Sequence, residues 1–340
     1  MNNNLNTRER LFSDENIFLS IFLANSYIQN KELLSLSEQK ELARAKRIFD
    51  IAHVEKTIEE IRARLCNILD KEDDFFQVSV YFKPKKYQNG ITTFRPLHTA
   101  ALIDQMAMIA MLQVLVYDFS QQGKLLPSEL SRLLPANFYG NIVSYDGKQL
   151  FLPWQDQYHK YTTAANEFLA QYSETKEYRY EVNLDLENFF PSINPRVLYN
   201  LIFNMLPMCW KNDLDVKTIL KKLIIFKLCN LDEDETAWYL HSEKEGDVKC
   251  CGYAKGLPQG LPHTYFLANL FMLLVQEEYE KIFPGKMVFY VDDSVIFTNG
   301  YNGNLNNSNF LELVDLLNCN IRSSEKKMLE SNFHTFNAPE

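Results

Sequence analysis

The sequence predicts an α+β fold. Long segments carry apolar residues every three or four positions, shorter segments alternate apolar and polar residues, and no internal repeat orders the two kinds. A chain of 340 residues can bury a substantial core, as one large domain or as two to three small ones. Hydrophobic residues at 46% against 23% charged exclude a disordered chain. The richest apolar run, Ile17 to Ala24, is too short to cross a bilayer and follows acidic residues, so no membrane partner is expected. The Asn-rich start lacks the basic-then-apolar pattern of a secretion signal. The six cysteines are scattered, and Cys250 and Cys251 are adjacent rather than spaced for zinc, which suits a reducing, cytoplasmic compartment. The net charge of −9, taken alone, argues against a nucleic-acid partner.

Residues 1–75 read as helix. Ser13 caps a segment whose Ile17, Phe18, Ile21 and Phe22 form one face. Ser35 and Glu38 make a capping-box pattern before a long segment from Ser37 to Asp70. From Phe76 the pattern alternates, and Lys83, Lys85 and Lys86 around Pro84 precede Asn89-Gly90, which predicts a hairpin with a basic tip. An apolar helix is expected from about Thr99, and Gly140 with Asp146-Gly147 predicts a second hairpin over Asn137 to Phe151. Helix follows from Gln155 to Tyr172, then a strand from Tyr178 to Leu184. Asn194-Pro195 opens a helix that Pro207 ends. A helix over Val216 to Asn230 carries Lys217, Lys221, Lys222 and Lys227. Charged loops are expected at Asp232 to Glu235 and Glu243 to Asp247. A long helix from Pro262 to Phe283 is stopped by Pro284-Gly285, and two short apolar runs then flank Asp292-Asp293. A loop over Asn299 to Asn309 and a helix from Phe310 to Asn318 complete the pattern.

Chemistry concentrates in three segments. In MVFYVDDSVIFTN, two apolar strands meet at Asp292 and Asp293. Adjacent acids repel and a cation relieves them, although Asp also favours solvated turns. In YRYEVNLDLENFFPSI, the alternation leaves Asp185 at a strand end on the polar side; alone it reads equally as a turn cap. Brought beside Asp292, it would complete a site for two Mg²⁺ ions, which take hard oxygen ligands and share phosphates. In AKGLPQGLPH, Gly256 and Gly260 permit close backbone approach, Pro258 stiffens the loop, and Gln259 offers donor and acceptor.

In this order the three segments resemble the palm of reverse transcriptases: DLENFFPSI the first palm motif, GLPQG the second, YVDD the third. FRPLHTAALIDQM and NFYGNIVSYDGKQLF are similar to the family's two fingers motifs, so the likeness covers about residues 80–330. The resemblance implies a right-hand polymerase with a helical N-terminal extension at 1–75, fingers at 76–175, palm at 176–330 and a tail at 331–340, the thumb absent or truncated. It implies that Asp185 and Asp292 hold both metal ions (Mg²⁺, with Mn²⁺ able to substitute), with Asp293 and the Leu186 carbonyl as further ligands. Phe190 would exclude a 2′-hydroxyl, although Phe189 or Phe190 also suits plain core packing. Gln259 and Gly260 would line the incoming dNTP, and Tyr290 with Pro258 the primer and template. Arg95 and Lys148 would meet the triphosphate, and Lys326 or Lys327 the pyrophosphate. Lys83, Lys85, Lys86 and the helix from Lys217 to Lys227 are candidate phosphate contacts, or ordinary solvated faces.

The implied reaction adds dNTPs to a DNA primer, or to a protein or RNA hydroxyl, on an RNA template. The helical extension together with this palm is most similar to the bacterial defence-associated group (abortive-infection and DRT systems), for which a dedicated non-coding RNA, a homo-oligomer or a partner protein are candidate partners. A retron-type enzyme is the nearest alternative. A non-catalytic RNA-binding palm scaffold is another, against which GLPQG and the three aspartates argue, and a cyclase-like enzyme a further one, against which the GLPQG helix argues. Ile142 stands where many relatives carry Arg, and Thr264 where Ser is common.

Overall fold

The structure is a computed structural model that describes residues 6–28, 33–45, 51–88, 90–119, 123–175, 180–186, 189–231, 256–298 and 333–335. In chain order it opens with helices α1 (Thr7–Leu11), α2 (Asp14–Tyr27), α3 (Leu36–Ala45) and α4 (Ile51–Asp70). Strands β1 (Gln77–Gln88) and β2 (Ile91–Ala100), helix α5 (Leu102–Val116), and short strands β3 (Tyr117–Phe119) and β4 (Leu125–Pro127) follow. Next come α6 (Trp154–Thr175), β5 (Tyr180–Asp185), α7 (Phe189–Ser192), α8 (Pro195–Met205), α9 (Met208–Lys211), α10 (Leu214–Ile224) and β6 (Lys227–Leu228). The last are α11 (Thr264–Ile282), β7 (Gly285–Tyr290), β8 (Asp293–Thr298) and β9 (Phe333–Thr335). The α+β class is as expected from the sequence. The chain divides into two compact units.

The first unit gathers Met1–Ser131, Ser144–Leu150 and Phe203–Thr264. Its centre is α5, where nearly every residue is buried, because a helix apolar all round must be covered all round. Helices α1, α2, α4 and α10 all contact it. Asp104 is the buried acid of α5, and the Arg64 guanidinium of α4 answers it at 2.5 Å while also reaching Asp74 at 2.9 Å. Beside the helices lies a sheet of order β2-β1-β6, with β6 parallel to β1.

Several expected elements of this unit shift. The helix expected from Thr99 begins at Leu102, because β1 claims the preceding backbone: Ser79 pairs with Thr99 and Val78 with Ala100. On α2, Ile17 and Ile21 are buried while Phe18 and Phe22 stay about 40% exposed, so the four do not share a buried face. Helix α10 ends at Ile224, and Lys227 lies in β6 instead. Lys222 is no phosphate contact. It is buried, and its Nζ donates to the carbonyls of Lys71 (2.9 Å), Glu72 (2.7 Å) and Asp74 (2.6 Å), which ties the turn after α4 to α10.

The second unit gathers Arg132–Val143, Phe151–Ile202 and Tyr265–Glu340. Its sheet has the order β7-β8-β5-β9, antiparallel throughout. Helix α6 lies on β7, burying Tyr161 with Val288 and Phe297. Asn194 caps α8 by accepting from the Arg196 and Val197 amides, as the Asn-Pro pair predicts. The hairpin expected over Asn137 to Phe151 forms only around Asp146-Gly147, where Val143 bridges Phe151 in antiparallel fashion, Ser144 N–H donates to the Leu150 carbonyl at 3.0 Å and Leu152 N–H to the Ile142 carbonyl at 2.8 Å; Asn137–Tyr139 hydrogen-bonds to β7 instead. The loops expected at 232–235, 243–247 and 299–309, and the helix at 310–318, lie outside the described residues. Among the described residues, no helix is long and apolar enough to cross a membrane.

Candidate active site

Strands β7 and β8 form a hairpin whose two turn residues are Val291 and Asp292. A two-residue turn between right-twisted strands needs positive φ, normally supplied by glycine. Val291 adopts φ 58°. For a β-branched side chain that conformation costs about 1–3 kcal/mol and is seen chiefly where surrounding structure enforces it.

The neighbouring segment supplies that enforcement. Tyr139 N–H donates to the Phe289 carbonyl at 2.9 Å, and Phe289 N–H donates to the Asn137 carbonyl at 2.9 Å. The Asn137 side-chain amide adds a bond to the Met287 carbonyl, and the Phe138 and Phe289 rings stack at 4.8 Å. These contacts lay residues 137–141 along the free edge of β7 and end at Gly140. A Cβ there would lie 2.5 Å from Val291 Cγ2 and 2.6 Å from Val291 N. From α11, the buried Asn269 donates its side-chain amide to the Gly140 carbonyl at 2.7 Å. Asn141, at φ 51°, then turns the chain away.

Strand β5 joins β8 on its other side, and the register pairs Leu184 with Ser294 and Asp185 with Asp293. Residues opposed in an antiparallel ladder lie on one face of the sheet, so the backbone brings Asp185, Asp293 and the Asp292 turn to one end of one sheet. The Asp185 side chain lies outside the described set. Among the described residues, no group of three His, Cys, Asp or Glu side chains is assembled as a cation site, so the case for this end of the sheet stands on register. Asp292 is half-buried and Asp293 exposed. Leu186, directly after Asp185, is buried.

Phe190 is buried at the start of α7, with its ring edge-on to Tyr265 at 5.8 Å and to Phe189 at 5.2 Å. Tyr290 precedes the Val291-Asp292 turn. Its ring meets Tyr158 edge-on at 5.3 Å and Tyr161 at 5.6 Å. Burial, then Tyr158, then the Asp293 charge, push its phenol above the ordinary range, so it stays protonated and can donate.

The remaining candidates belong to the first unit. Gly256 (φ 84°) and Gly260 (φ 112°) bound a tight loop that only glycine completes without strain. Pro258 is buried, Gln259 is half-buried, and the Thr264 hydroxyl donates to the Pro258 carbonyl at 2.9 Å. Serine would make the same bond, so Thr264 is a mild departure. The loop is anchored to β2, where His98 N–H donates to the Gln259 carbonyl at 2.8 Å. On the β1–β2 hairpin, Lys83 pairs directly with Arg95, both exposed, and a register shift between Pro84 and Lys86 leaves the exposed Lys85 at a bulge. Lys148 is exposed just after Gly147, in a turn where the Asp146 carboxylate accepts from its amide at 2.8 Å. The Lys86 side chain, Lys326 and Lys327 lie outside the described residues.

Sequence reasoning missed three groups here. Gly140 was noted only as a turn residue, and its missing Cβ matters because of a long-range contact. Asn269 carried no signal, being one polar residue in an apolar helix. Trp154 and Tyr158 did carry one, since Trp154, Tyr158 and Tyr161 recur at helical spacing.

No curated protein matches the chain. Residues 141–331 match the family model of reverse transcriptase (RNA-dependent DNA polymerase). That span is more than half of the chain and contains β5, the Gly256–Gly260 loop and the β7–β8 turn. The protein therefore belongs to the reverse transcriptase family and is an RNA-directed DNA polymerase.

Proposed function

We propose that the end of the β5–β8 ladder is the centre of a two-metal-ion nucleotidyl transfer. A primer 3′-hydroxyl, or the hydroxyl of a protein or RNA primer, attacks the α-phosphate of a dNTP, and pyrophosphate leaves. The observation that carries this is the pairing of Asp185 with Asp293 beside Asp292. Like charges opposed across a ladder repel, and a hard divalent cation relieves them. Mg²⁺, or Mn²⁺ in its place, fits donors that are all oxygen. Asp185 and Asp292 would hold both ions, with Asp293 and the Leu186 carbonyl as further ligands. When bound, the ions activate the attacking oxygen and neutralise charge on the phosphates.

The chain's own side chains bind and orient. Tyr290, with its hydroxyl protonated, positions the primer end. Pro258, Gln259 and Gly260 line the nucleotide, and the rigid Phe190 ring excludes a 2′-hydroxyl. Arg95 and Lys148 would meet the triphosphate, and Lys326 or Lys327 would donate a proton to the departing pyrophosphate. On the hairpin, Arg95 opposite Lys83 is a like-charged pair of the other sign, which a polyanion neutralises. With Lys85 and Lys86 it supports phosphate binding along an RNA template despite the acidic whole chain. In this reading the hairpin belongs to the fingers and the four-stranded sheet is the palm. The helices ahead of the hairpin support placement among bacterial defence-associated enzymes acting in the cytoplasm against phage, with a dedicated non-coding RNA or a partner protein.

Primer extension with purified protein, Mg²⁺, labelled dNTPs and an RNA template tests the reading. Incorporation that vanishes in Asp292→Ala supports it. Unchanged incorporation in that variant rejects the metal assignment, and RNA binding without incorporation on any template favours a scaffold.

A further inference from the structure

The exposed aromatic face at the start of α6 has no role in the reaction so far described. Trp154 is 60% exposed and Tyr158 48% exposed. They sit four residues apart, about 40° round the helix, so both belong to one face. Asp156, the acidic residue between them, points about 160° away from each. Below them the face is continuous with the catalytic hairpin. Tyr158 meets the Tyr290 ring edge-on, Tyr161 tilts against both rings, and the Tyr290 hydroxyl approaches the Trp154 carbonyl at 3.5 Å. Tyr161 is buried and fixes the helix to β7. The Tyr158 ring is therefore held against Tyr161 and Tyr290, and the exposed Trp154 side chain stands one turn before it on the same face of the helix, its backbone carbonyl facing the Tyr290 hydroxyl.

We propose that Trp154 and Tyr158 form a stacking shelf for unpaired or terminal bases of the primer strand. The inference rests on the reading of Tyr290 as a primer contact. Tyr290 is two residues from Asp292, so a strand whose 3′ end is held at the aspartates passes Tyr290 and then meets the next rings of the same cluster. Flat π faces accept any base, and they suit an enzyme that must bind each product sequence it makes. The shelf adds no phosphate contact, so its contribution to affinity is insensitive to salt, unlike that of the basic hairpin.

The test uses the full chain and a short single-stranded DNA oligonucleotide labelled with a fluorophore, with affinity read by anisotropy at low and high salt. Trp154→Leu and Tyr158→Leu are each expected to weaken binding by roughly five- to a hundred-fold. Trp154→Phe should recover most of the loss, and the slope of affinity against salt should not change. A 2-aminopurine placed one or two nucleotides from the primer 3′ end should be quenched by the unmodified protein and less so by Trp154→Leu. Unchanged affinity in both Leu variants overturns the shelf, as does quenching confined to the template strand. Equal loss in Trp154→Phe and Trp154→Leu overturns it too, because a ring would then not be what is needed. Primer extension by the unmodified protein is scored separately, so a failed shelf is distinguished from a failed polymerase assignment.

Discussion

Val291 rests directly on the bare Cα of Gly140, with Val291 N and Cγ2 both inside the space a Cβ would fill. The two residues are far apart in sequence, yet one sets the conformation of the other. Val291 holds a positive φ that its branched side chain disfavours, and the segment ending at Gly140 closes over it.

Gly140→Ala therefore forces either the strap or the turn to move. Overpacking of this kind costs about 1–3 kcal/mol. Displacing a catalytic group by about 1 Å costs roughly a hundred-fold in rate. The variant should fold, melt a few degrees lower, and lose at least about ten-fold in primer extension. Wild-type kcat in a folded Gly140→Ala protein would remove the strap from any role in positioning Asp292.

Asp292→Asn keeps the side chain's size while removing one charge from the acidic turn. Incorporation should fall to background, and chelation of divalent cations should do the same to the unmodified enzyme, with recovery on adding Mg²⁺ or Mn²⁺. Because adjacent like charges repel, removing the Asp292 charge beside Asp293 should also make Asp292→Asn slightly more stable than the parent in the absence of divalent cations. Denaturant titration with and without Mg²⁺ reads that difference.

Phe190→Val shortens a ring packed on Tyr265 and Phe189. If this ring is the wall under the sugar, ribonucleotide incorporation should rise relative to deoxynucleotide incorporation. The measurement is the ratio of kcat/KM for dNTP and rNTP. A destabilised protein with an unaltered ratio would make Phe190 a core residue only.

Stability should fall in mild acid. Burial pushes the His98 imidazole down to about 4, against the opposing bond to the Gln259 carbonyl, and burial pushes His263 down to about 3. The unfolded chain binds these protons below pH 6.5 while the folded chain refuses them, so stability is full above 6.5 and declines toward the folded values. At about 1.4 kcal/mol per unit, His98 alone accounts for roughly 3 kcal/mol by pH 4. Urea midpoints between pH 7 and 4.5 should drop, with a shallower slope in His98→Asn. Parallel slopes would show that His98 is not the titrating group.

Local pattern made the ends of the site legible and left its assembly hidden. Alternation around Asp185 and around Asp292-Asp293 marked the strands that carry them, and the glycines marked the Gly256–Gly260 loop, whose positive φ angles only the structure shows. The register that opposes Asp185 to Asp293 joins segments more than a hundred residues apart, and no local pattern encodes it. The same holds for the strap: Asp146-Gly147 turns a short local hairpin as its pattern predicts, but the edge of β7 takes residues 137–139, which no local pattern encodes. Lys222 failed for another reason. Lysine is usually exposed, and only the three carbonyls left by the turn after α4 make its burial favourable.

The strap has a second consequence, for solubility. With residues 137–139 hydrogen-bonded along it, β7 does not offer a bare strand edge as a template on which another molecule's backbone can nucleate fibrillar pairing. Trimming or loosening this short segment would therefore be read first as precipitation during expression, before any assay of polymerisation is possible.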